Sequence, residues 1–350
     1  MKKIIVTGAG GLIGSEVSEY YANLGWDVIG IDNNMRAKYF GFSGDIKWNI
    51  SRLETKYSNF TLISVDIRNR KEIEKIILDI KPLALVHCAA QPSHDLATEI
   101  IYDDFDVNAV GTLNLLESLR KSNYDIPFVF LSTNKVYGDA PNNIALIEKE
   151  TRWDFAELKN YNGINEEFTI DQSTHSFFGV SKLAADLLVQ EYGRYFGMST
   201  CCLRGGCLTG PNHSGVELHG FLSYLVKCNV LEKEYTIMGY KGKQVRDNIH
   251  SIDIVKFIDL FIRSPKSGEV YNIGGGRANS ISIIEAFEMI NNISGKKMKY
   301  KYANEPRKGD HICYISDLNK ISLDYPEWEI TKNLTNIFEE LYKGWIERLN

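Results

Sequence analysis

The chain has 350 residues and a formal net charge of −5 at pH 7, with 44% hydrophobic and 24% charged residues. This is the composition of a globular protein, and the lack of a basic stripe excludes a general nucleic-acid binder. No stretch of the sequence approaches the roughly 20 apolar residues of a membrane span. Six cysteines without a C-x-x-C pair predict reduced thiols in a cytoplasmic protein, and scattered histidines predict no metal site.

The first half of the chain alternates short apolar runs with helical patterns. In chain order, strands are predicted at KKIIVTG, WDVIGIDN, NFTLISVDI, LALVHCAA, FVFLSTNKVYG and STCCLRGG, and helices at GLIGSEVSEYYANLG, KEIEKIILDI, FDVNAVGTLNLLESLRKSN and KLAADLLVQEYGRYFG. Such alternation is typical of an α/β fold with a doubly wound parallel sheet of the Rossmann type. The strands are nearly all apolar, as expected when helices cover both faces of the sheet.

The rhythm of the sequence changes near residue 211, where insertions such as PNHSGVELHG interrupt shorter elements. We expect a Rossmann domain formed by residues 1–210 and about 240–277, and a smaller C-terminal α/β domain formed by about 211–239 and 278–350. The chain is therefore expected to return to the first domain after entering the second.

A glycine-rich turn, TGAGGLIG, lies between the first predicted strand and the first helix. Gly8 permits the tight turn, Gly11 lets a pyrophosphate approach the backbone, and Gly14 lets helix and strand pack closely. Asp32 ends the second strand, where an acid accepts hydrogen bonds from a ribose diol and repels a 2′-phosphate. The pattern predicts NAD rather than NADP, although Arg36 nearby points the other way. A flavodoxin-like or methyltransferase fold is the structural alternative.

Polar residues also lie at the end of the fifth predicted strand. Ser132 and Thr133 are at its carboxyl end, where open α/β sheets bind their ligands. Phe178 and Lys182, in FFGVSK, are four residues apart and therefore share one helix face. A lysine on such a face, followed by apolar residues, is unlike the usual solvated lysine.

Taken together, these motifs resemble those of the extended short-chain dehydrogenases/reductases that modify nucleotide-activated sugars. The resemblance covers essentially the whole chain and rests on GAGGLIG, DNN, VDIRN, HCAAQ, NAVGTLNLLE, STNKVYG, GKQVRDNIH, YNIGGG and EPRKGD. Within that family, STNKVYG and GKQVRD-x-x-H are most similar to the CDP-paratose (CDP-tyvelose) 2-epimerase subgroup.

The resemblance implies transient oxidation of a sugar ring carbon by NAD and its reduction from the opposite face. It implies that Thr133 orients the reacting hydroxyl and Lys182 holds the nicotinamide ribose, while Phe178 stands where the family has its tyrosine base. The implied cofactor contacts are Gly8, Gly11, Leu12, Ile13, Gly14, Asp32, Asn33, Asn34, Arg36, Asp66, Ile67, Ala89, Ala90, Gln91, Asn108 and Lys182. The implied substrate contacts are Gln91, Thr133, Asn134, Lys135, Tyr235, Arg246 and Arg307. For Asp66, capping of the helix that follows is the structural alternative.

The missing hydroxyl at Phe178 leaves three explanations open: an engineered variant, a natural enzyme in which another group handles the proton, or a cofactor-binding protein without turnover. In a natural enzyme the base could be Lys182 with a pKa lowered by burial, His175 one helical turn earlier, or a water relayed by Thr133. Packing at the helix N-terminus is the structural alternative for His175. Cys207 stands where the family has asparagine, and this further departure favours a natural subgroup.

Two parts of the sequence indicate the kind of substrate: the residues that follow Thr133, and a pair of arginines. Asn134 and Lys135 stand where 4,6-dehydratases carry Asp-Glu, so dehydration is disfavoured relative to epimerisation; for Lys135 a solvent-facing position is the alternative. By resemblance, Arg246 and Arg307 would clamp a diphosphate from two sides. Tyr235 falls where the family often packs on the nucleotide.

The sequence therefore predicts an NAD-dependent nucleotide-sugar epimerase, with a CDP-sugar and its C2 implied by the subgroup. A nucleotide-sugar 4-epimerase or a uronic-acid decarboxylase is the nearest rival. A catalytically inactive protein that binds NAD or a sugar nucleotide is the rival from another class. The resemblance also implies a homodimer formed by the helices at 105–123 and 182–197, whose apolar faces could equally be core.

Overall fold

The structure is a computed structural model that describes residues 2–217, 219–306 and 309–349. It divides into two compact units. The first is formed by Met1–Val136, Phe177–Arg204 and Ile254–Tyr271, and the second by Tyr137–Ser176, Gly205–Asp253 and Asn272–Asn350. Compact units and independently folding domains are different properties, so the domain bounds expected from the sequence stay a prediction.

The strands and helices of both units are numbered here in chain order. The strands are β1 Lys3–Thr7, β2 Asp27–Ile31, β3 Phe60–Ile63, β4 Ala84–His87, β5 Phe128–Thr133, β6 Leu146–Glu148, β7 Trp153–Phe155, β8 Thr200–Gly205, β9 Cys207–Thr209, β10 Tyr235–Met238, β11 Val245–His250, β12 Glu269–Ile273, β13 Ser280–Ser282, β14 Tyr300–Ala303 and β15 Cys313–Tyr314. The α-helices are α1 Leu12–Asn23, α2 Met35–Phe40, α3 Lys47–Lys56, α4 Arg70–Ile80, α5 Ile101–Phe105, α6 Gly111–Lys121, α7 Ser176–Phe196, α8 Phe221–Val230, α9 Ser251–Arg263, α10 Ile283–Ser294, α11 Asn319–Asp324 and α12 Leu334–Leu349.

A seven-stranded sheet with the order β12-β8-β5-β4-β1-β2-β3 forms the centre of the first unit. The pairs β1–β2, β2–β3, β1–β4 and β4–β5 are parallel. The chain winds outward in both directions from β1, so the strand order reverses between β1 and β4, where doubly wound sheets bind their ligands. The predicted α/β fold class is confirmed.

Apolar residues on both faces of this sheet hold the first unit together. On one face, Ile5 and Phe128 are fully buried in a core shared with α6 and α7. Ile4, Val86 and Val129, which point to the other face, are fully buried as well. Each fully buried side chain of this kind contributes roughly 1.5–3 kcal/mol relative to exposure. The packing explains why the strands lack the alternating pattern of a half-exposed sheet.

The second unit has smaller sheets and its own core. In one sheet β11 lies between β13 and β15 and also pairs with β9, while β10 pairs with β14 and β6 with β7. The helices α8, α10 and α12 pack around Leu225, Ile290 and Leu341. Ser282 and Glu285 form a capping box at the start of α10, which fixes where that helix begins.

Two local features differ from the sequence expectation. The long helix predicted over FDVNAVGTLNLLESLRKSN is divided into α5, a π-helical turn at Asp106–Val110, and α6. The segment between β2 and β3 contains α2 and α3, which were not predicted.

Some negative findings apply to residues 2–217, 219–306 and 309–349. No helix in these ranges is long and apolar enough to cross a membrane. No three His, Cys, Asp or Glu side chains there are grouped in a way that could hold a metal ion. All six cysteines are free thiols.

Candidate active site

The glycine turn lies between β1 and α1 in the first unit, as predicted. Gly8 has φ +68°, and a Cβ there would lie 2.7 Å from the Ala89 nitrogen, so only glycine fits. A Cβ on Gly14 would lie 2.1 Å from the Gly8 carbonyl oxygen, which shows how closely helix and strand approach. Helix α1 begins at Leu12 with Gly11 as an N-cap that has no side chain to cap it. The first-turn N–H groups at Leu12 and Ile13 are therefore available to an anion.

Asp32 follows β2 and contacts the glycine turn directly. Its carboxylate accepts hydrogen bonds from the backbone N–H of Gly10 at 3.0 Å and of Asn34 at 2.8 Å. Burial raises the pKa of Asp32 above its ordinary value, and the backbone hydrogen bonds oppose that rise. The acid predicted to select a ribose diol thus lies against the loop predicted to hold a pyrophosphate.

Three further residues predicted to hold the cofactor follow Asp32. Asn33 donates to a carboxylate oxygen of Asp66 at 3.2 Å. Asn34 adopts φ 55° and donates to Asp45 at 2.9 Å. The Arg36 guanidinium lies over the Phe40 ring, 4.9 Å from its centroid, and burial lowers the pKa of Arg36 to about 10. These contacts fold the segment back on itself beside Asp32.

Asp66 does not cap the next helix, which was its structural alternative. Asn69 is the N-cap of α4, and its side chain accepts from the Glu72 N–H. Asp66 instead receives the Arg68 guanidinium on both oxygens, at 2.8 to 3.2 Å. Burial would raise the pKa of Asp66, but the Arg68 hydrogen bonds outweigh it and hold the pKa below its ordinary value. Ile67 beside it is buried.

The predicted residues Gln91 and Asn108 meet in a buried network of the first unit. The Asn108 side chain accepts the Gln91 N–H at 2.9 Å and donates to the Ser181 hydroxyl at 3.0 Å. The Gln91 amide donates to Asp104 at 2.7 Å and also binds the backbone of Ser93. Gln91 has no exposed surface, so its predicted contacts with cofactor and substrate stay a prediction.

His87, at the end of β4, links this network to the glycine turn. Its Nδ1 lies 2.7 Å from the Thr7 hydroxyl and its Nε2 2.9 Å from the Thr112 hydroxyl. The Thr112 hydroxyl donates to the Asn108 carbonyl, so it must accept a proton from Nε2, and Thr7 must donate to Nδ1. The same Thr7 oxygen accepts the Ala89 N–H. Burial lowers the pKa of His87 well below its ordinary value, in agreement with a neutral ring in this tautomer.

The hydroxyl groups of Ser132 and Thr133, at the end of β5, have different roles. Ser132 donates to the buried Asp186 at 2.5 Å, so it belongs to the interior. Thr133 is half-buried, and its oxygen accepts the Lys135 N–H at 3.2 Å, which leaves its own hydrogen available. Asn134 is buried and Lys135 half-buried, so Lys135 is not simply a solvated residue.

Phe178 and Lys182 lie on one buried face of α7. The exposed fraction is 9% for Phe178 and 3% for Lys182. The Lys182 Nζ donates to the Leu131 carbonyl oxygen at 2.7 Å and lies 4.0 Å from the centroid of the Phe130 ring. Burial, which disfavours the ammonium, lowers the pKa of Lys182 to about 8. The predicted pairing on one helix face is thus present in the structure.

Sequence reasoning missed the residue that anchors this helix. Asp186 lies one turn after Lys182 and is fully buried. Its two oxygens accept from Arg204 at 2.9 and 3.2 Å and from Gln190 at 2.6 Å, in addition to Ser132. The spacing i, i+4 from Lys182 was the available signal, because an acid on the buried face of a helix needs a partner.

The proposed helical position of His175 is wrong. Helix α7 begins at Ser176, which has φ +61°, so His175 precedes the helix and does not lie one turn before Phe178. Its Nδ1 lies 3.1 Å from the Ser173 carbonyl oxygen in its own turn. The left-handed residue is what separates His175 from the helix face.

The residues predicted to contact the nucleotide belong to the second unit. Arg246, on β11, pairs with Asp310 at 2.8 Å; burial would lower the pKa of Arg246, but Asp310 outweighs it and raises the pKa. Tyr235 has 8% exposed surface and packs edge-on against Phe287 at 5.6 Å, in the core of this unit. Its contact with a nucleotide stays a prediction. Arg307 lies outside the described residues.

Comparisons with known proteins agree with this geometry. A family model described as the NAD dependent epimerase/dehydratase family matches residues 4–274. CDP-paratose 2-epimerase of Salmonella typhi is 32% identical over 328 residues, which cover 91% of this chain and 92% of that protein. dTDP-glucose 4,6-dehydratase of Salmonella typhimurium is 27% identical, with 99% of this chain and 98% of that protein covered.

The fold is also that of solved enzymes. The crystal structure of UDP-glucuronic acid 4-epimerase from Bacillus cereus, in complex with UDP-glucuronic acid and NAD, is similar with a TM-score of 0.80. That protein is 26% identical, and the match covers 99% of this chain and 100% of that chain. The family and its NAD dependence, both predicted from the sequence, are confirmed. The chain belongs to the NAD dependent epimerase/dehydratase family.

Proposed function

We propose that the protein is a nucleotide-sugar epimerase that acts on C2 of a CDP-sugar by transient oxidation and re-reduction. The observation that carries the proposal is the pair formed by Lys182 and Thr133. The buried Lys182 amine is held at 2.7 Å from the carbonyl oxygen of Leu131. Thr133 follows two residues later in the same strand as Leu131, and its hydroxyl hydrogen is available. The same unit holds the glycine turn and Asp32. The likeness to a CDP-paratose 2-epimerase supports the choice of substrate.

The residues of the first unit fit NAD. A Cβ at Gly8 or Gly14 would strike backbone atoms, the start of α1 has N–H groups without a side-chain cap, and Asp32 lies against the loop. Gly8, Gly11, Leu12, Ile13 and Gly14 would receive the pyrophosphate, and Asp32 the ribose diol. Bound NAD would supply the hydride acceptor and donor of the reaction.

The protein's own side chains bind and orient the sugar in this proposal. Thr133 donates its free hydrogen to the oxygen of the reacting hydroxyl, and Asn134 and Lys135 contact other hydroxyls. Neither of these two residues is a carboxylic acid, so water loss lacks the acid that dehydration needs. Arg246, with Arg307, would hold the diphosphate, since guanidinium groups pair with phosphates in a bidentate manner.

A test uses a panel of CDP-, UDP-, GDP- and dTDP-sugars incubated with the purified protein in deuterated water without added reductant. Proton NMR of the sugar should reveal a C2 epimer of a CDP-sugar whose new C–H carries no solvent deuterium. A C4 epimer of a UDP-sugar would support the rival assignment, and release of carbon dioxide from a uronic acid the decarboxylase. Deuterium at the inverted carbon would contradict transient oxidation with direct return.

A second candidate is a protein that binds NAD and a sugar nucleotide without turnover. The apolar Phe178 at the position of the family's base favours it. Phe178→Tyr separates the two proposals, because a protein in which only the phenol is missing should gain turnover from that change. Nucleotide-sugar binding without product in either form would sink the epimerase proposal.

We propose further that the protein is a cytoplasmic homodimer. An apolar groove between α6 and α7 is lined by Phe105, Ala109, Val110, Leu113, Leu187 and Leu188. Phe105 and Leu187 are 42% and 46% exposed, which is unusual for large apolar residues so close together. A second copy of the same surface would cover it.

A further inference from the structure

We propose that Lys182 is the base of this site: its uncharged amine takes the proton of the sugar hydroxyl that is oxidised and returns it when the ketone is reduced. The inference rests on the proposed epimerase function and deepens it. It assigns to the lysine a proton-transfer role that Phe178 cannot fill, because a phenyl ring has no exchangeable proton.

The position of the amine makes this role possible. Nζ is held by one hydrogen bond to the Leu131 carbonyl oxygen at 2.7 Å. A neutral amine can donate that bond and still present a lone pair, whereas an ammonium has three donors and no acceptor. The carbonyl that accepts this hydrogen bond belongs to β5, the strand whose last residue is Thr133, so the amine lies against the strand that carries the reactive threonine.

The other ionisable groups around Nζ are already committed. The Asp186 carboxylate is saturated by Ser132, Gln190 and Arg204, and that of Asp104 accepts from Gln91 and Asn108. Both nitrogens of His87 are bound to threonine hydroxyls. Burial raises the pKa of the half-buried Cys88 thiol and of the fully buried Cys202 thiol, so neither forms a thiolate near neutral pH.

Thr133 can pass a proton on but cannot keep it. Its hydroxyl has no ionised form near neutral pH, and its oxygen already accepts the Lys135 N–H at 3.2 Å. A proton relayed through Thr133 therefore needs a final acceptor. Of the two nitrogen bases described around Nζ, His87 and Lys182, it is Lys182 whose lone pair no internal hydrogen bond consumes.

The electrostatics of the pocket agree with a lysine that is partly neutral near physiological pH. Burial is the largest influence on the pKa of Lys182 and lowers it to about 8, while Asp186, Cys88, Cys202 and Asp104 act in the opposite direction. The Phe130 ring, 4.0 Å from Nζ, also favours the ammonium. Burial prevails over these groups together. The apolar ring of Phe178, one turn earlier on the helix, adds no group that would hold the charge.

The step balances in atoms and electrons. The O–H bond of the sugar hydroxyl breaks and an N–H bond forms at Nζ, which becomes an ammonium. The C–H bond at the same carbon breaks, and NAD, which the glycine turn and Asp32 would hold, would supply the acceptor for the hydrogen and its electron pair. A C=O bond forms, and reduction from the other face reverses each change with the proton returned by Lys182.

The experiment compares a titration with a pH profile. The ε-methylene signal of Lys182, in protein labelled with ¹³C-lysine and assigned with Lys182→Arg, is titrated by NMR in the apo and the NAD-loaded protein. Reduction of bound NAD by CDP-paratose or CDP-tyvelose is followed in single turnovers by absorbance over the same pH range. We expect the rate to fall on the acidic side with a midpoint within ~0.5 pH unit of the NMR midpoint of the loaded protein.

Two variants sharpen the comparison. Phe130→Leu removes the ring over Nζ and should lower both midpoints together by at least ~0.4 pH unit. His175→Gln should leave both midpoints unchanged. The inference is overturned if the midpoint of the rate shifts in His175→Gln. It is also overturned if the rate midpoint stays fixed in Phe130→Leu while the NMR midpoint of Lys182 moves. If Phe130→Leu fails to fold, the agreement or disagreement of the two wild-type midpoints still decides.

Failure of the proposed function is distinguishable from failure of this inference. Bound NAD that no nucleotide sugar reduces would contradict the epimerase proposal, and the inference would fall with it. Turnover whose acidic limb lies away from the Lys182 titration would overturn the inference alone.

Discussion

The burial of the Lys182 amine lowers the stability of the folded protein near neutral pH. The pKa of Lys182 is lowered from 10.5 to about 8, so the folded protein disfavours the ammonium that the unfolded chain carries. For a lysine with a lowered pKa, the penalty is fully present below pH 8 and disappears as the pH rises toward 10.5. At ~1.4 kcal/mol per pKa unit, the penalty is about 3 kcal/mol at neutral pH.

Lys182→Met should therefore stabilise the apo protein at pH 7, and urea unfolding should show the gain shrinking as the pH approaches 10. Lys301→Met on β14 is the matched control: Lys301 is exposed and pairs with Glu234 at the surface, so its removal should change the stability at pH 7 by less than ~1 kcal/mol. Equal stability of Lys182→Met and wild type at pH 7 would contradict the burial argument.

Asp186 has the opposite role, since its removal takes the carboxylate partner away from the buried Arg204. Asp186→Asn should destabilise the protein by roughly 3–5 kcal/mol, because Arg204 is 4% exposed and has no solvent to replace the carboxylate. Chemical denaturation measures the change. Glu157→Gln, in an exposed ion pair with Lys159, should have little effect. A similar small effect for both variants would show that the Asp186 network does not hold α7.

At the scale of elements, the turn between β1 and α1 contains one glycine that is needed for packing and another that is expected to bind NAD. Gly14→Ala would place a Cβ 2.1 Å from the Gly8 oxygen, whereas a Cβ on Gly11 lies 3.3 Å from the same atom. We expect Gly14→Ala to lower the melting temperature strongly, and Gly11→Ala to weaken NAD binding with a much smaller change in melting temperature. Calorimetric melting and NAD titration distinguish the two; equal melting temperatures would contradict the close approach of helix and strand.

Sequence patterns predicted most elements of the first unit but not their irregularities. The alternation of apolar runs and helical periodicity gave the strands around the glycine turn, because burial on both faces leaves a continuous apolar signal. Periodicity did not reveal the π-turn at Asp106–Val110, because a single wide turn is short beside the helical turns that follow it. It also placed His175 in a helix, since the left-handed φ of Ser176 has no residue signature such as glycine.

Residues of the candidate site that lie in sequence motifs were predicted. Residues whose role depends on contacts with distant parts of the chain were missed. Gly8, Asp32 and Thr133 lie at or just after strand ends, and Lys182 shares a helix face with Phe178, so local spacing indicates all four. The pairing of Asp186 with Arg204 joins α7 to β8, and the tautomer of His87 depends on threonines from two other elements. Such contacts depend on the folded register of the sheet, which local sequence does not specify.

At the scale of the whole molecule, the apolar groove of the first unit carries the dimer proposal. Leu187→Glu places a charge in the groove and should convert the protein to a monomer in sedimentation or light-scattering measurements. Leu323→Glu is the matched control, because Leu323 is 82% exposed on α11, away from the groove residues in sequence and unit. A wild-type monomer, or a dimer that persists in Leu187→Glu, would contradict the proposal.

The three segments that make up the first unit have a consequence for synthesis on the ribosome. Its sheet needs β12 at its edge, and β12 comes after the whole of the second unit's first two segments in the chain. A nascent chain that has passed β5 therefore exposes strand edges and part of the core until residues 269–273 emerge. Completion of this sheet is thus a late event in translation, and truncation before residue 269 should yield a chain that depends on chaperones and does not accumulate as a folded fragment.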